Sequence, residues 1–179
     1  MEKIKIKPDV LRYPKQVTIL GIDAGGIDAF RLLDWSYLMD FNPPLVAFGI
    51  DKGHFVEQWM VEAMHFSINI ACENFKFANE LLSILSNGRS VDAGKLDVIY
   101  SDDEHVPMLK HCPLSLECKF VNSVDFPHNY IFLGKVLNGY CEKRLLTGGQ
   151  LDMTKIKPLL FNAPDNSLWK LTEFRRERI

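Results

Sequence analysis

Leu116-Glu117-Cys118-Lys119-Phe120-Val121-Asn122-Ser123-Val124 is followed by Asp125-Phe126-Pro127-His128-Asn129 and then by Tyr130-Ile131-Phe132-Leu133-Gly134-Lys135-Val136-Leu137-Asn138-Gly139-Tyr140. Two long segments rich in β-branched and aromatic residues flank a short stretch of turn formers, the pattern of a β-hairpin. Helical patterns are few and confined to the first half of the chain, so strands and helices do not alternate as they do in a doubly wound sheet. The expected architecture is mainly β: a β-barrel with a few packed helices.

Upstream of the hairpin, Val17-Thr18-Ile19-Leu20 reads as the first strand. Residues 44 to 50, Pro-Leu-Val-Ala-Phe-Gly-Ile, form an apolar run without helical period, and Pro43-Pro44 imposes an extended approach to it, so a buried strand is expected. From Val56, the positions Trp59, Met60, Ala63 and Met64 repeat with helical spacing and predict a helix packed by that face. Phe66-Ser67-Ile68-Asn69-Ile70 reads as a strand. Ala78, Leu81, Leu82 and Leu85 mark a second helix that stops at Asn87-Gly88. Beyond Pro158 the chain is polar with isolated anchors Leu160, Phe161, Trp169 and Phe174, and is expected to wrap the surface or a partner.

Composition narrows the classes. Lys and Arg total 21 against 23 Asp and Glu, so the formal charge is 21 − 23 = −2, without the basic excess of a nucleic-acid binder. With 47% hydrophobic and 25% charged residues, the chain is globular in composition. At 179 residues one domain buries roughly 70% of its unfolded surface, so residues 1–179 are expected to fold as one unit without metal or disulfide support. Cys72, Cys112, Cys118 and Cys141 form no CxxC pair and read as thiols of a reducing compartment. Neither a signal peptide nor an apolar span is visible, which makes a cytoplasmic location the expectation and a membrane partner unexpected.

Three stretches invite chemistry. Gly21-Ile22-Asp23-Ala24-Gly25-Gly26 is glycine-rich after a strand, but its spacing is not GxGxxG and the expected acid falls on Asp40 beside a turn, so a hairpin or loop is the simpler reading. Asp51-Lys52-Gly53-His54 lies between a strand and a helix start, where free N–H groups, the helix dipole and Lys52 would favour an anion. On the residues alone, an ordinary turn with a solvated lysine is the preferred reading. Asp102-Asp103-Glu104-His105 reads as a solvated acidic loop, and His111-Cys112 near Cys118 raises a Cys–His nucleophile with nothing to orient it.

Several segments, in order, resemble the flavin reductase-like family, in particular its flavoredoxin branch. They are Trp35 to Asp40 with Phe41-Asn42-Pro43-Pro44-Leu45-Val46-Ala47, then Lys52-Gly53-His54, then Phe66-Ser67-Ile68-Asn69. Val106 to Pro113, Leu116-Glu117-Cys118-Lys119 and Lys157-Pro158-Leu159-Leu160 continue the series, so the resemblance runs from about Tyr13 to Trp169. It implies an FMN-binding split β-barrel, a homodimer with flavin near the interface and the 158–179 tail wrapping it, and redox chemistry with NADH or NADPH as substrate and a small-molecule or protein acceptor. Trp35, Ser36 and Tyr37 would run beside the isoalloxazine ring; Asp51, Lys52, Gly53, His54 and Phe55 would lie near the ribityl phosphate, with Asn69 closing the strand behind. No catalytic acid or base and no metal ligand is implied.

The chain departs from the family at defined positions. Ala29, Leu32, Asp34 and Tyr37 replace residues of an N-x-x-T-x-A-W-x-S pattern, and Gly53 and Val56 replace the hydroxyl residues of K-S-H-Y-T. These substitutions favour an alternative, a family member with a degenerate flavin site that serves as a non-catalytic binding or storage protein. A nicotinamide enzyme built on the Gly21–Gly26 stretch is a more distant third.

Overall fold

The computed structural model describes residues 3–5, 7, 13–33, 35–54, 57–73, 90–92, 96–162 and 167–171. Its strands, in chain order, are β1 (Lys15–Gln16), β2 (Thr18–Asp23), β3 (Asp28–Leu32), β4 (Trp35–Phe41), β5 (Pro44–Asp51), β6 (His65–Ile70), β7 (Ser90–Asp92), β8 (Val98–Tyr100) and β9 (Pro107–Leu109). They continue with β10 (Leu114–Asp125), β11 (Asn129–Cys141), β12 (Leu146–Thr147), β13 (Gln150–Leu151), β14 (Leu159–Asn162) and β15 (Ser167–Lys170). Helices α1 (Glu57–Ala63) and α2 (Met153–Ile156) are short. The fold is mainly β, as the sequence predicts.

An eight-stranded antiparallel sheet runs in the order β4-β5-β11-β10-β6-β2-β3-β7. Only two residues separate β3 from β4, so the first strand of that order is the chain's direct continuation of the seventh, and the sheet curls into a barrel. Where the two ends meet, the Ser36 hydroxyl donates to Thr18 Oγ1 at 3.0 Å and the Leu33 N–H to the Thr18 carbonyl at 3.0 Å. The β10–β11 hairpin forms the middle of the wall. Its near part pairs Leu114–Lys119 with β6, and its far part pairs Asn129–Lys135 with β5. Irregularities between Glu117 and Cys118 and between Phe120 and Asn122 lie close to where one partnership gives way to the other, and such bulges bend a strand and sharpen its twist.

Successive β2 residues face two separate cores, as the alternation of a strand requires. Ile19 packs with Val17, Phe30, Ala71 and Leu109, while Leu20 and Ile22 pack with Phe48, Met60, Phe66, Ile68 and Phe132. Phe48 stacks on Phe132 with ring centroids 5.5 Å apart and tilts against Phe66 at 5.3 Å. Burial on both faces explains why the first strand reads as a continuous apolar run and not as an alternating one. The Gly21–Phe30 stretch is the predicted hairpin, β2 and β3 pairing from Ile19↔Leu32 to Asp23↔Asp28.

Three expectations need correction or fall elsewhere. The helix after Lys52 spans only Glu57–Ala63; Met60 is its one buried residue, Trp59 is exposed, and Met64 leaves the helix at φ 60°. Up to Leu171 the C-terminal segment lies along the chain's own surface: β14 pairs with β1 and β15 into a three-stranded sheet, which adds Phe161 to the flank of the first core. The helix expected around Ala78–Leu85, and Phe174, lie outside the described residues. Among the described residues no helix is long and apolar enough to cross a membrane.

Candidate functional site

Alternation along β4 puts Trp35 and Tyr37 on one face and Ser36 on the other. The two rings stack with centroids 5.9 Å apart and planes 29° from parallel. Trp35 stands opposite Gly49 of β5 and Tyr37 opposite Ala47, small partners that leave the aromatic face open. Tyr37 is 51% exposed. Burial and a hydrogen bond with Tyr13 push its phenol above the ordinary value. Ser36 is turned inward, its hydroxyl spent on Thr18, so only its backbone belongs to the candidate surface.

Further along β5 the chain passes through Asp51 into a single 3-10 turn, Lys52–His54. Here the hairpin tip folds over it: the Lys52 N–H donates to the His128 carbonyl at 3.0 Å, and Asp51 pairs with Asn129. The Lys52 ammonium forms an ion pair with Asp125 and lies 4.7 Å above the centre of the Tyr130 ring. The Gly53 N–H donates to Asp51 Oδ1 at 2.7 Å. Both groups that the sequence assigns to an anion, the lysine and the glycine amide, therefore already have acidic partners. Helix α1 adds little, because it has seven residues and carries Glu57 in its first turn, where a carboxylate offsets the positive helix end. Phe55 and the side chain of His54 lie outside the described residues.

Trp35, Tyr37, Asp51, Lys52 and Gly53 thus share the β4–β5 region. Gly49, opposite Trp35, precedes Lys52 by three residues, a span of at most about 10 Å at the rise of a β-strand. Asn69 does not join them. It lies on β6, three strands away in the sheet, and is fully buried. Its Nδ2 donates to the Ile19 carbonyl at 3.1 Å and Ser67 Oγ at 2.8 Å, while Oδ1 accepts from the Leu109 N–H at 3.0 Å and Ser115 Oγ at 2.8 Å. An amide has two donors and two principal acceptor positions, so none is left for a ligand. We assign Asn69 to the framework.

The other candidates resolve differently. The acidic 102–105 stretch is more than a solvated loop, because it closes over the buried Glu117. That carboxylate accepts from Ser101 Oγ at 2.7 Å, Asn138 Nδ2 at 2.8 Å, Tyr140 OH at 3.3 Å and the Glu104 N–H at 3.4 Å. The Cys–His idea loses its thiols: Cys112 and Cys118 are buried, and burial pushes the Cys118 thiol far up, away from the reactive thiolate. His111 instead lies 2.7 Å from Asp97. Among the described residues no group of three or more His, Cys, Asp or Glu is placed to hold a metal ion. A groove of about 340 Å³ opens beside Asp23, Glu62, His65, Glu104 and His105, but three carboxylates suit it poorly to a phosphate.

Asp125, Tyr130 and Tyr13 are site residues that sequence reasoning missed. Asp125 reads locally as a turn former, and nothing in the sequence pairs it with a lysine 73 positions away.

Comparison with known proteins decides the family. The flavin reductase like domain matches residues 10–163. The chain belongs to the flavin reductase-like family. Within this family, the fold is similar to that of a flavoredoxin from Methanosarcina acetivorans, at 34% identity over 99% of this chain and 95% of that one, with a TM-score of 0.85. It is also similar to a flavoredoxin of Desulfovibrio vulgaris (Miyazaki F), at 18% identity over 98% and 97% of the two chains and a TM-score of 0.78. An FMN-binding protein from Thermus thermophilus with bound p-hydroxybenzaldehyde matches at 20% identity over 99% and 100%, with a TM-score of 0.79. No curated protein matches. Family membership makes the chain a flavin-utilising reductase in kind.

The β4–β5 residues fit a flavin in part. A half-open aromatic face on β4 and a cation at the end of the neighbouring β5 suit the ring and the phosphate. The carboxylates of Asp51 and Asp125 beside that cation do not.

Proposed function

We propose that this chain binds FMN and acts as an oxidoreductase of flavin reductase or flavoredoxin type, carrying electrons from NADH, NADPH or a protein donor to a small-molecule or protein acceptor. The observation that carries this reading is the 34% identity to a flavoredoxin along 99% of the chain. Bound FMN would supply the hydride and electron chemistry. The protein's part is to hold and orient: Trp35 and Tyr37 would line the ring, and Lys52 and Gly53 would face the phosphate. No side chain is assigned as acid or base.

The same reading includes a homodimer with the flavin near its interface, in a cytoplasmic protein. On β4, Leu38, Met39 and Phe41 are exposed, Phe41 to 81%, which supports a second copy covering this strand. A second reading, a non-catalytic binding or storage protein, is favoured by the acidic partners already held by Lys52 and Gly53.

Absorbance separates the two. Purified protein, incubated with FMN and desalted, is expected to be yellow and to bleach on adding NADH or NADPH. A colourless protein that takes up no FMN would sink the enzyme reading. Bleaching with dithionite alone would point to a carrier reduced by a protein donor.

A further inference from the structure

We propose that Asp125 determines phosphate selectivity in this site, acting as an internal anion that competes with the flavin phosphate for Lys52. This inference rests on the reading that the phosphate meets Lys52. The ammonium is not a free cation waiting for a ligand: it is paired with Asp125 and lies over the Tyr130 ring. The backbone that carries Asp125 is held beside Lys52, because the hairpin tip is tied both within itself and to the lysine turn. Phe126 N–H donates to the Asn129 carbonyl at 2.9 Å, and Lys52 N–H to the His128 carbonyl at 3.0 Å.

The charge count follows. Among the described residues the turn brings together the Lys52 ammonium and the carboxylates of Asp51 and Asp125, with Glu57 at the start of α1 adding further negative charge. A phosphate dianion arriving there must displace or share Asp125's partner and tolerate its charge, whereas an unphosphorylated flavin meets neither cost. The site is therefore built to favour FMN over riboflavin less than a bare lysine would. Its ligand class is flavin, with or without the phosphate.

The test measures dissociation constants of FMN and riboflavin by quenching of flavin fluorescence, in the wild-type protein and in Asp125→Asn, Asp125→Glu and Lys52→Ala. Asp125→Asn should tighten FMN by about three- to tenfold, the scale of one released exposed ion pair plus one lost like charge, and move riboflavin by less than about twofold. Asp125→Glu should restore wild-type values, and the FMN gain should shrink in high salt. Asp125 is exposed, and unchanged riboflavin binding checks that the variant is folded.

If Asp125→Asn changes both flavins alike, the carboxylate acts through hairpin shape and the proposal is overturned. If it changes neither while Lys52→Ala weakens FMN alone, Lys52 holds the phosphate and only the role of Asp125 falls. If Lys52→Ala leaves FMN unchanged, the phosphate reading of Lys52 fails and this inference with it.

Discussion

Trp35 packs directly over Gly49: a Cβ added at Gly49 would stand 2.3 Å from Trp35 Nε1 and 2.6 Å from its Cε2. The glycine is what lets the indole settle on the β5 backbone and stack with Tyr37. Gly49→Ala should therefore lift the indole and break the stack. Trp35 is only partly buried and can move outward, so stability should fall by about 1 kcal/mol or less. FMN binding should weaken while the melting temperature falls only slightly. Near-UV circular dichroism and FMN titration check both; an unchanged aromatic signal would show that the indole is not held by Gly49.

Gly134 makes a contact of the same closeness with the opposite consequence. Its absent Cβ would lie 2.3 Å from Phe66 Cζ, and Phe66 is fully buried against Phe48. The ring has nowhere to go. Gly134→Ala should cost about 2–3 kcal/mol, the upper part of the overpacking range, as read by urea denaturation. A loss equal to that of Gly49→Ala would mean that the barrel interior yields as readily as its rim.

What the sequence made legible, and what it did not, divides along the range of the interactions. The hairpin of β10 and β11, the β5 strand and the β2–β3 hairpin are local patterns, written in period and turn chemistry. The closing of the barrel is not local, since it depends on Ser36 meeting Thr18 across 18 positions. The helix after Lys52 shows the limit of periodicity: its apolar stripe is real, but the barrel buries Met60 fully and Ala63 in part and leaves Trp59 and Met64 exposed. Resemblance pointed to the aromatic strand and the lysine turn, yet the pairing of Lys52 with Asp125 and three of the four hydrogen bonds of Asn69 depend on strand neighbours far apart in sequence.

Asn69 carries four hydrogen bonds inside the protein and should matter for stability alone. Asn69→Leu keeps the volume and strands the Leu109 N–H, with the Ile19 carbonyl and the Ser67 and Ser115 hydroxyls losing a partner each. Buried groups left unpaired cost about 1–3 kcal/mol each, so a total loss of at least about 3 kcal/mol is expected, with faster amide exchange at Leu109. The folded fraction should bind FMN with wild-type affinity. Weakened binding at full folding would return Asn69 to the cofactor site.

Glu117 gives the protein a defined acid limit. Burial alone would raise its carboxyl, but the hydrogen bonds from Asn138, Ser101, the Glu104 N–H and Tyr140 outweigh burial and hold it below the ordinary value. A group lowered in the folded state stabilises fully above its unfolded value, about 4.3, and that stabilisation is lost as pH falls through the folded value. Glu117→Gln places an NH₂ donor among groups that already donate, so at pH 7 it should cost about 1–3 kcal/mol and loosen the 101–106 loop. The gap between wild type and variant should then narrow as pH drops below about 4, because the wild-type carboxylate is itself being protonated. Urea denaturation of both proteins between pH 7 and pH 3 measures it. A gap that stays constant across this range would mean that the carboxylate charge contributes nothing and that the network depends on shape alone.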